Sequence, residues 1–226
     1  MPHPLDNVLW NCFSGPHRHV TIGTDDILRY APGFSPIIGF AEPDNPNLAG
    51  LRDHTAIGEE LYCDGWSGES YPGWEIHRQT TMFRMVYHGQ APEVDPAPDA
   101  IRLGTEHVEK AIELATLTNP GPFGPRTIDL GEYFGFFDGD KLISMAGERF
   151  QVDHYHEISA VCTHPDYQGK GLAKKLMGKL LYRQMQRGKT PFLHVISTND
   201  IAHNLYLKLG FQDYLESVVR VISRVE

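Results

Sequence analysis

A glycine-containing loop in the second half of the chain has the spacing of an anion-binding helix start. Residues 161–173 read VCTHPDYQGKGLA, in which a strand-like segment ends before Pro165 and a helical apolar pattern begins after Gly171. The first turn of a helix carries unpaired backbone N–H groups and a partial positive charge, so it binds phosphate without needing a side chain. Gly169 and Gly171 lack a Cβ, which lets the backbone approach an anion closely. The segment predicts a phosphate-binding loop.

Two common nucleotide-binding motifs do not fit this loop. A P-loop needs Lys followed by Ser or Thr, whereas Lys170 is followed by Gly171. A dinucleotide fingerprint would need a third glycine where Lys174 stands. What remains is the pattern of Gln or Arg, two residues, Gly, one residue, and Gly or Ala, which Gln168, Gly171 and Ala173 fill. The loop therefore disfavours both ATP and NAD.

A second motif follows at residues 199–211, which read NDIAHNLYLKLGF after an apolar, strand-like segment. Asn199 and Tyr206 are two helical turns apart, so they share one face of the predicted helix. Gly210 supplies the usual helix stop. A ligand that lies along this face would contact both side chains.

Together the two motifs resemble the GNAT superfamily of acetyl-CoA-dependent N-acetyltransferases, and they are similar to its ribosomal-protein N-terminal acetyltransferase branch. The resemblance begins near residue 100 and runs to residue 226. It implies an α+β fold, with a mixed, mostly antiparallel sheet flanked by helices and preceded by an irregular N-terminal region. It also implies acyl transfer from acetyl-CoA, as co-substrate, to a primary amine of a small molecule or peptide by direct attack in a ternary complex. No metal is implied.

The resemblance also assigns the residues that hold the co-substrate. In that family the loop binds the pyrophosphate of coenzyme A. By resemblance, Val161, Cys162 and Thr163 hold the pantetheine arm through backbone hydrogen bonds. The remaining residues assigned to acetyl-CoA are Gln168, Gly169, Lys170, Gly171, Leu172, Ala173, Lys174, Asn199 and Tyr206.

The reaction requires removal of a proton from the amine and delivery of a proton to the thiolate leaving group. By resemblance, Tyr206 is the general acid near the sulfur. The branch places its base five residues before the motif asparagine, and His194 stands there. A histidine with a pKa of about 6.5 is mostly neutral at working pH, so it can serve as a base. Glu157, acting directly or through water, is the alternative base, and a buried structural role for His194 stays open.

Charge is unevenly spread along the chain. Residues 1–100 hold 5 Arg, no Lys and 14 acidic residues, so they carry the whole net charge of −9. This balance disfavours nucleic acid as a partner. The acidic half could steer a cationic substrate toward a site, and a solvated acidic surface is the plainer interpretation.

Cysteine usage and hydropathy predict a cytoplasmic protein. Cys12, Cys63 and Cys162 are an odd number without paired spacing, which favours a reducing compartment. No apolar run reaches the length of a membrane span, and the first residues lack a secretory pattern. We expect no membrane partner, and oligomerisation is left open. A non-catalytic acyl-CoA-binding module is the alternative function, which the retention of Tyr206 disfavours.

A proline-rich segment divides the chain into two regions. Residues 90–99 read QAPEVDPAPD, a poor helix or strand, which predicts a linker. We expect residues 1–95 to shape the acceptor pocket, together with a lip at residues 119–125, and residues 96–226 to form the N-acetyltransferase domain. The elements predicted from periodicity and turn residues are strands near 19–22, 37–41, 80–87 and 157–163, a hairpin at 138–140, and helices near 48–62, 105–115, 169–186 and 199–209.

Overall fold

Helices and strands account for both halves of the chain in the computed structural model, which describes residues 2–226. The helices are α1 (Val8–Ser14), α2 (Val108–Thr118), α3 (Leu172–Gln186) and α4 (Asp200–Leu209). The strands are β1 (Thr21–Gly23), β2 (Ile27–Tyr30), β3 (Ile37–Phe40), β4 (Glu60–Asp64), β5 (Trp74–Tyr87), β6 (Ile101–Arg102), β7 (Tyr133–Asp138), β8 (Lys141–Val152), β9 (Tyr155–Thr163), β10 (Thr190–Ile196) and β11 (Phe211–Arg224).

The strands form an 11-stranded sheet in the order β1-β2-β3-β4-β11-β5-β10-β9-β8-β7-β6. Neighbouring strands are antiparallel except for the pairs β3–β4 and β9–β10, which are parallel. The prediction of a mixed, mostly antiparallel sheet flanked by helices is confirmed.

Strand β5 ties the two halves of the chain together. It comes before the linker, yet it lies between β10 and β11 and pairs with both. Met85 and Tyr87 on this strand belong to the hydrophobic cluster under α3 and α4. The two predicted regions therefore share one sheet, and the division of labour between them stays a prediction.

Apolar stripes fix the helices on the sheet. Of the stripe predicted from the spacing, Leu176, Leu180 and Leu181 of α3 are buried and Leu172 is half-buried, and Met177 is buried beside them. Burying each such side chain contributes about 1.5–3 kcal/mol. Helix α1 buries its own stripe, including Phe13, in a separate cluster. With helices anchored in this way, the ends of the central strands are held in place.

Local patterns predicted most elements of the second half of the chain and fewer of the first. Helix α1 and strand β2 were not predicted, and the strand expected at residues 19–22 is preceded by a 3-10 helix, Arg18–Val20, so that β1 starts at Thr21. The hairpin at Asp138 joins β7 to β8, and the helix expected from residue 169 begins at Leu172. The helix expected over residues 48–62 is wrong: a short 3-10 helix, Leu48–His54, is followed by strand β4. Strand β4 forms because it pairs with β3 and β11, which are distant in sequence.

The proline-rich segment is docked rather than free. Lys179 of α3 donates to Asp95 Oδ2 at 2.5 Å and to the Ala97 carbonyl at 2.9 Å. The Ala97 side chain is completely buried. The three cysteines are free thiols and buried. Among the described residues, no helix combines the length and apolarity that a membrane crossing requires.

Candidate active site

Strands β9 and β10 separate part-way along their length. Their parallel ladder consists of Thr190 with Tyr155, Pro191 with His156, and Phe192 with Glu157. Beyond that position, residues 158–163 and 193–196 continue as strands without pairing to each other. Unpaired strand edges offer backbone N–H and C=O groups to a ligand. The separation therefore creates a binding edge in the middle of the sheet.

A bulge in β9 accompanies this separation. The register of β9 against β8 shifts between Met145 and Gly147, and Ala160 has a φ of 52°. A left-handed conformation at a non-glycine residue costs about 1–3 kcal/mol and is retained where the surrounding structure requires it. A bulge bends its strand and re-aims the neighbouring side chains.

The opening between the strands is a cleft of about 580 Å³. Residues 157–161 of β9 form one wall, and residues of β10 and α4 form another. The loop at residues 119–122, part of the predicted lip, also lines the cleft. The N-terminal region contributes Tyr62, Arg78, Gln79, Thr80 and Met82. Both predicted regions thus border the same space.

The glycine loop lies at the open end of this separation, directly after β9. Gly169 and Gly171 have φ values of 77° and 74°, and a Cβ placed on either would meet no atom within 4 Å. Gly171 is the N-cap of α3 and provides no side-chain cap. The first intrahelical bond runs from the Lys175 N–H to the Gly171 carbonyl, so the preceding N–H groups lack helical partners. Unpaired donors at the start of a helix, together with open space beside the two glycines, fit a phosphate group.

The other residues assigned to the co-substrate are distributed around this loop. Val161 and Asn199 line the cleft. The Thr163 carbonyl accepts a 3.4 Å hydrogen bond from Gln168 Nε2. Lys170 lies over the Tyr167 ring at 4.5 Å from its centroid. The loop residues that begin α3 are Leu172, Ala173 and Lys174.

Cys162 turns away from the cleft. Its side chain belongs to the hydrophobic cluster under α2, and burial raises the pKa of its thiol to about 11. Its carbonyl accepts a hydrogen bond from Ser144 Oγ at 2.9 Å. A thiol that is protonated and buried is a poor nucleophile.

Tyr206 lines the cleft from α4, and Asn199 caps the start of the same helix. Asn199 Oδ1 accepts from the Ala202 N–H at 3.1 Å. The Tyr206 ring is buried, and burial raises the pKa of its hydroxyl to about 12. Among residues 2–226 no group hydrogen-bonds the Tyr206 hydroxyl, so its proton is available to a ligand in the cleft.

Glu157 is an ionised carboxylate at the base of the cleft. Arg149 Nε and Nη2 each donate to it at 2.9 Å, and His194 Nδ1 lies 2.7 Å from Oε1. Burial would raise the pKa of Glu157, but the Arg149 guanidinium and the His194 hydrogen bond hold it at about 2. Glu157 is therefore a strong hydrogen-bond acceptor and a weak base.

His194 is held between Glu157 and Arg84. Arg84 Nε donates to His194 Nε2 at 2.9 Å, which leaves the imidazole proton on Nδ1, facing Glu157. Burial lowers the pKa of His194, and the Glu157 carboxylate only partly opposes this. The ring is consequently neutral, with both nitrogens engaged.

The chain of contacts continues to Asp64 in the N-terminal region. Arg84 Nη2 donates to Asp64 Oδ2 at 2.5 Å, and another Arg84 nitrogen donates to the Leu5 carbonyl. Arg84, Arg149 and Asp64 were not predicted as site residues. The signal for Arg84 was a charged residue within the apolar run at residues 82–87, which implies a buried partner. Arg149 directly follows Glu148 in β8, so it had no such local signal.

Metal ligation has no support in this arrangement. Within residues 2–226, no group of three or more His, Cys, Asp and Glu side chains is placed to hold a metal ion. The polar groups of the cleft bind one another or face the open space.

The cleft can be compared with known proteins. The model of the FR47-like protein family matches residues 133–221. N-alpha-acetyltransferase RimI of Mycobacterium tuberculosis is 34% identical over 84 residues, or 35% of this chain and 51% of that protein. The match thus spans about half the length of this curated relative.

Solved structures resemble the chain over its whole length. A GNAT-family acetyltransferase structure from Novosphingobium aromaticivorans is 30% identical, with a TM-score of 0.89 and 99% coverage of both chains. A GCN5-related N-acetyltransferase from Kribbella flavida has a TM-score of 0.61 at 14% identity, covering 97% of this chain and 96% of its own. The second likeness concerns the fold alone.

Proposed function

Since the chain belongs to the GNAT family of acetyltransferases, we propose that it transfers an acetyl group from acetyl-CoA to a primary amine by direct attack in a ternary complex. One observation carries this proposal. The separation of β9 from β10 brings an unpaired strand edge, the Tyr206 hydroxyl and the Glu157–His194 pair around one cleft of about 580 Å³. Acid, hydrogen-bond acceptor and binding edge thus border the same volume.

The loop at residues 168–174 and the free edge of β9 would hold acetyl-CoA. The support is the pair of left-handed glycines with open space before them, together with the unpaired N–H groups of α3. Acetyl-CoA supplies the thioester carbonyl that the amine attacks. Residues 161–163 would offer backbone hydrogen bonds along the unpaired edge.

Tyr206 would act as the acid by donating a hydrogen bond from its hydroxyl to the leaving thiolate. Because the pKa of its hydroxyl is about 12, Tyr206 keeps its proton at neutral pH. A model thiol has a pKa of about 8.5, so the tyrosine acts chiefly as a hydrogen-bond donor to the developing negative charge.

Glu157 and His194 would lie beside the amine acceptor. Glu157 accepts hydrogen bonds but takes up a proton poorly at a pKa of about 2, so we propose that it acts on the amine by positioning, with the proton leaving through water. His194 can act as a base only if Arg84 Nε releases its ring nitrogen.

The pH profile of kcat/KM decides whether His194 or Glu157 is the base. Its fall toward acid pH should flatten in His194→Ala if His194 is the base, and in Glu157→Gln if Glu157 is the base. Thermal denaturation of each variant checks that it is folded.

A covalent route has little support. Cys162 is the thiol on β9, and it is buried in the cluster under α2, does not line the cleft and has a raised pKa. Mass spectrometry after incubation with acetyl-CoA alone should show no acetylated Cys162. An acetyl-enzyme that an amine then discharges would overturn direct transfer.

The function is tested by following free-thiol release from acetyl-CoA with a panel of primary amines, while calorimetry measures coenzyme A binding separately. Amine-dependent release is the expected result. Tight coenzyme A binding without release for any amine would instead support the non-catalytic binding module. Failure to bind coenzyme A would overturn both functions.

A further inference from the structure

A small recess of about 60 Å³ adjoins the cleft on the side of the N-terminal region. The two spaces share Tyr62, Met82, Pro122, Arg149, His194 and Val219 as lining residues. The walls that belong to the recess alone are mostly apolar and include Leu9, Ile37 and Phe150. A group that enters the cleft can therefore extend a short, mostly apolar arm into the recess.

Asp64 is the charged residue in the part of the lining that belongs to the recess alone. Its side chain is nine-tenths buried, with 10% of its surface exposed. Oδ2 is bound by Arg84, whereas Oδ1 is buried and has no hydrogen-bond partner among residues 2–226. An unsatisfied buried acceptor costs about 1–3 kcal/mol, and more when it is charged. Oδ1 is thus ready to accept a hydrogen bond from a ligand.

The charges around the recess are already balanced. Arg84 pairs with Asp64, and Arg149 pairs with Glu157, while His194 between the two pairs is neutral. An added ammonium or carboxylate would bring an uncompensated charge into a buried site, which is costly. A neutral N–H or O–H donor satisfies Asp64 without adding charge.

We propose that the recess is an acceptor subsite, in which Asp64 Oδ1 accepts a hydrogen bond from a neutral amide N–H or hydroxyl on a short arm of the amine substrate. This inference rests on the proposed function and narrows its acceptor class. At about 15 Å³ for each water-sized group, the recess holds roughly four such groups. The class is therefore a primary amine whose amide or hydroxyl lies a few atoms from the reacting nitrogen.

The test compares acceptors that differ only in this donor. One pair is an aminoacyl amide and the corresponding ester, and the other is 3-amino-1-propanol and 3-fluoropropylamine. For the native protein, kcat/KM for the donor should exceed that for its partner by at least about tenfold in one pair or both. The pair that shows the preference identifies amide or hydroxyl as the source.

Asp64→Asn then removes the acceptor while keeping the shape. Because Arg84 binds one side-chain oxygen, the amide oxygen should take that place and turn the amide NH₂ toward the recess. The amide-to-ester ratio should fall to about one or invert, since an N–H now meets a donor. The difference in intrinsic reactivity between the amide and the ester cancels, because the ratio is measured with the same two compounds in both proteins. Glu59→Gln, which alters another carboxylate paired with a buried arginine, is the matched control and should leave the ratio unchanged.

Binding of the non-reacting analogue N-methylacetamide, followed by NMR in the native protein and in Asp64→Asn, decides the subsite even without turnover. Weaker binding in Asp64→Asn supports it. Turnover of simple amines with no donor preference in either pair overturns the subsite but leaves the proposed function intact. Where the amide pair shows the preference, equal binding of the analogue to both proteins also overturns the subsite. No turnover with any amine overturns the function, and the binding measurement still decides the subsite.

Discussion

Glu157 keeps its charge inside the protein because the Arg149 guanidinium, the His194 imidazole and the Phe150 N–H all donate to it. At the residue scale, these interactions offset the cost of burying the Glu157 charge and add little net stability. A buried ion pair roughly offsets its own desolvation, whereas removal of one partner costs about 3–5 kcal/mol. The chemistry of the cleft therefore depends on the donors that keep Glu157 ionised, two of which, Arg149 and His194, line the cleft themselves.

Replacing Tyr206 by Phe is the direct test of the acid. The change removes only the hydroxyl, so coenzyme A binding should persist while kcat falls by about a hundredfold. Steady-state thiol release and calorimetry measure the two quantities. Tyr182→Phe on α3 is the control and should have no effect. Full activity of Tyr206→Phe would show that the thiolate obtains its proton elsewhere.

The placement of Tyr206, Asn199 and the glycine loop on their helices could be predicted from the sequence, because the signal for each is local. Helical spacing relates Tyr206 to Asn199, and glycines before a helix define the loop. Arg84 and Asp64 were not predicted as partners of His194, because that chain joins three strands far apart in sequence. No local pattern specifies which buried charges meet.

At the element scale, α3 and the loop before it form one structural unit. The strand end places the loop, Gly171 caps the helix in a left-handed conformation, and the first-turn N–H groups lack helical partners. Each step follows from a residue type at a fixed offset, which explains why this part was predictable. The bulge at Ala160 was not, because its cause lies in pairing with β8.

Gly171→Val should weaken coenzyme A binding by at least tenfold, since a left-handed β-branched residue costs about 1–3 kcal/mol and its side chain enters the anion space. Gly188→Val is a matched control, because Gly188 lies just beyond the opposite end of α3, has a φ of +68° and has equally open surroundings. Calorimetry compares the two. Equal loss of affinity in both variants would reveal a general effect on α3 instead of anion binding.

At the scale of the whole molecule, β5 makes the two regions mutually dependent. A chain that begins at residue 98 lacks β5. Strands β10 and β11 then lose the strand that lies between them and pairs with each of them. We expect this shortened chain to show no cooperative thermal transition by circular dichroism. A sharp transition together with coenzyme A binding would show that residues 98–226 fold alone. Single-chain periodicity predicts that β5 is a strand but not which strands flank it.

Acid should destabilise the native fold through buried histidines. Burial, with Lys189 and Arg187 nearby, lowers the pKa of His156 from 6.5 to about 4. Between these values the unfolded chain binds a proton that the folded chain does not, so stability is full above pH 6.5 and is lost as pH falls toward 4.

His156→Phe removes this titration while keeping a ring in the same space. Relative to the variant, the native protein should lose about 1–3 kcal/mol of unfolding free energy across that window, since solvent screens part of the effect. Denaturant unfolding at pH 7.5 and pH 4.5 measures the difference. His17, whose pKa is also lowered to about 4 by burial, should remain as an acid-sensitive site in the variant. A difference that does not change with pH would place the proton uptake elsewhere.

The central place of β5 also has a consequence for biosynthesis. A ribosome completes this 14-residue strand about a hundred residues before β10 and β11 exist. Until then both of its edges are open, and open edges recruit other strands. Nascent chains stalled between β5 and β10 should therefore be bound by chaperones or aggregate, whereas release of the finished chain closes both edges at once.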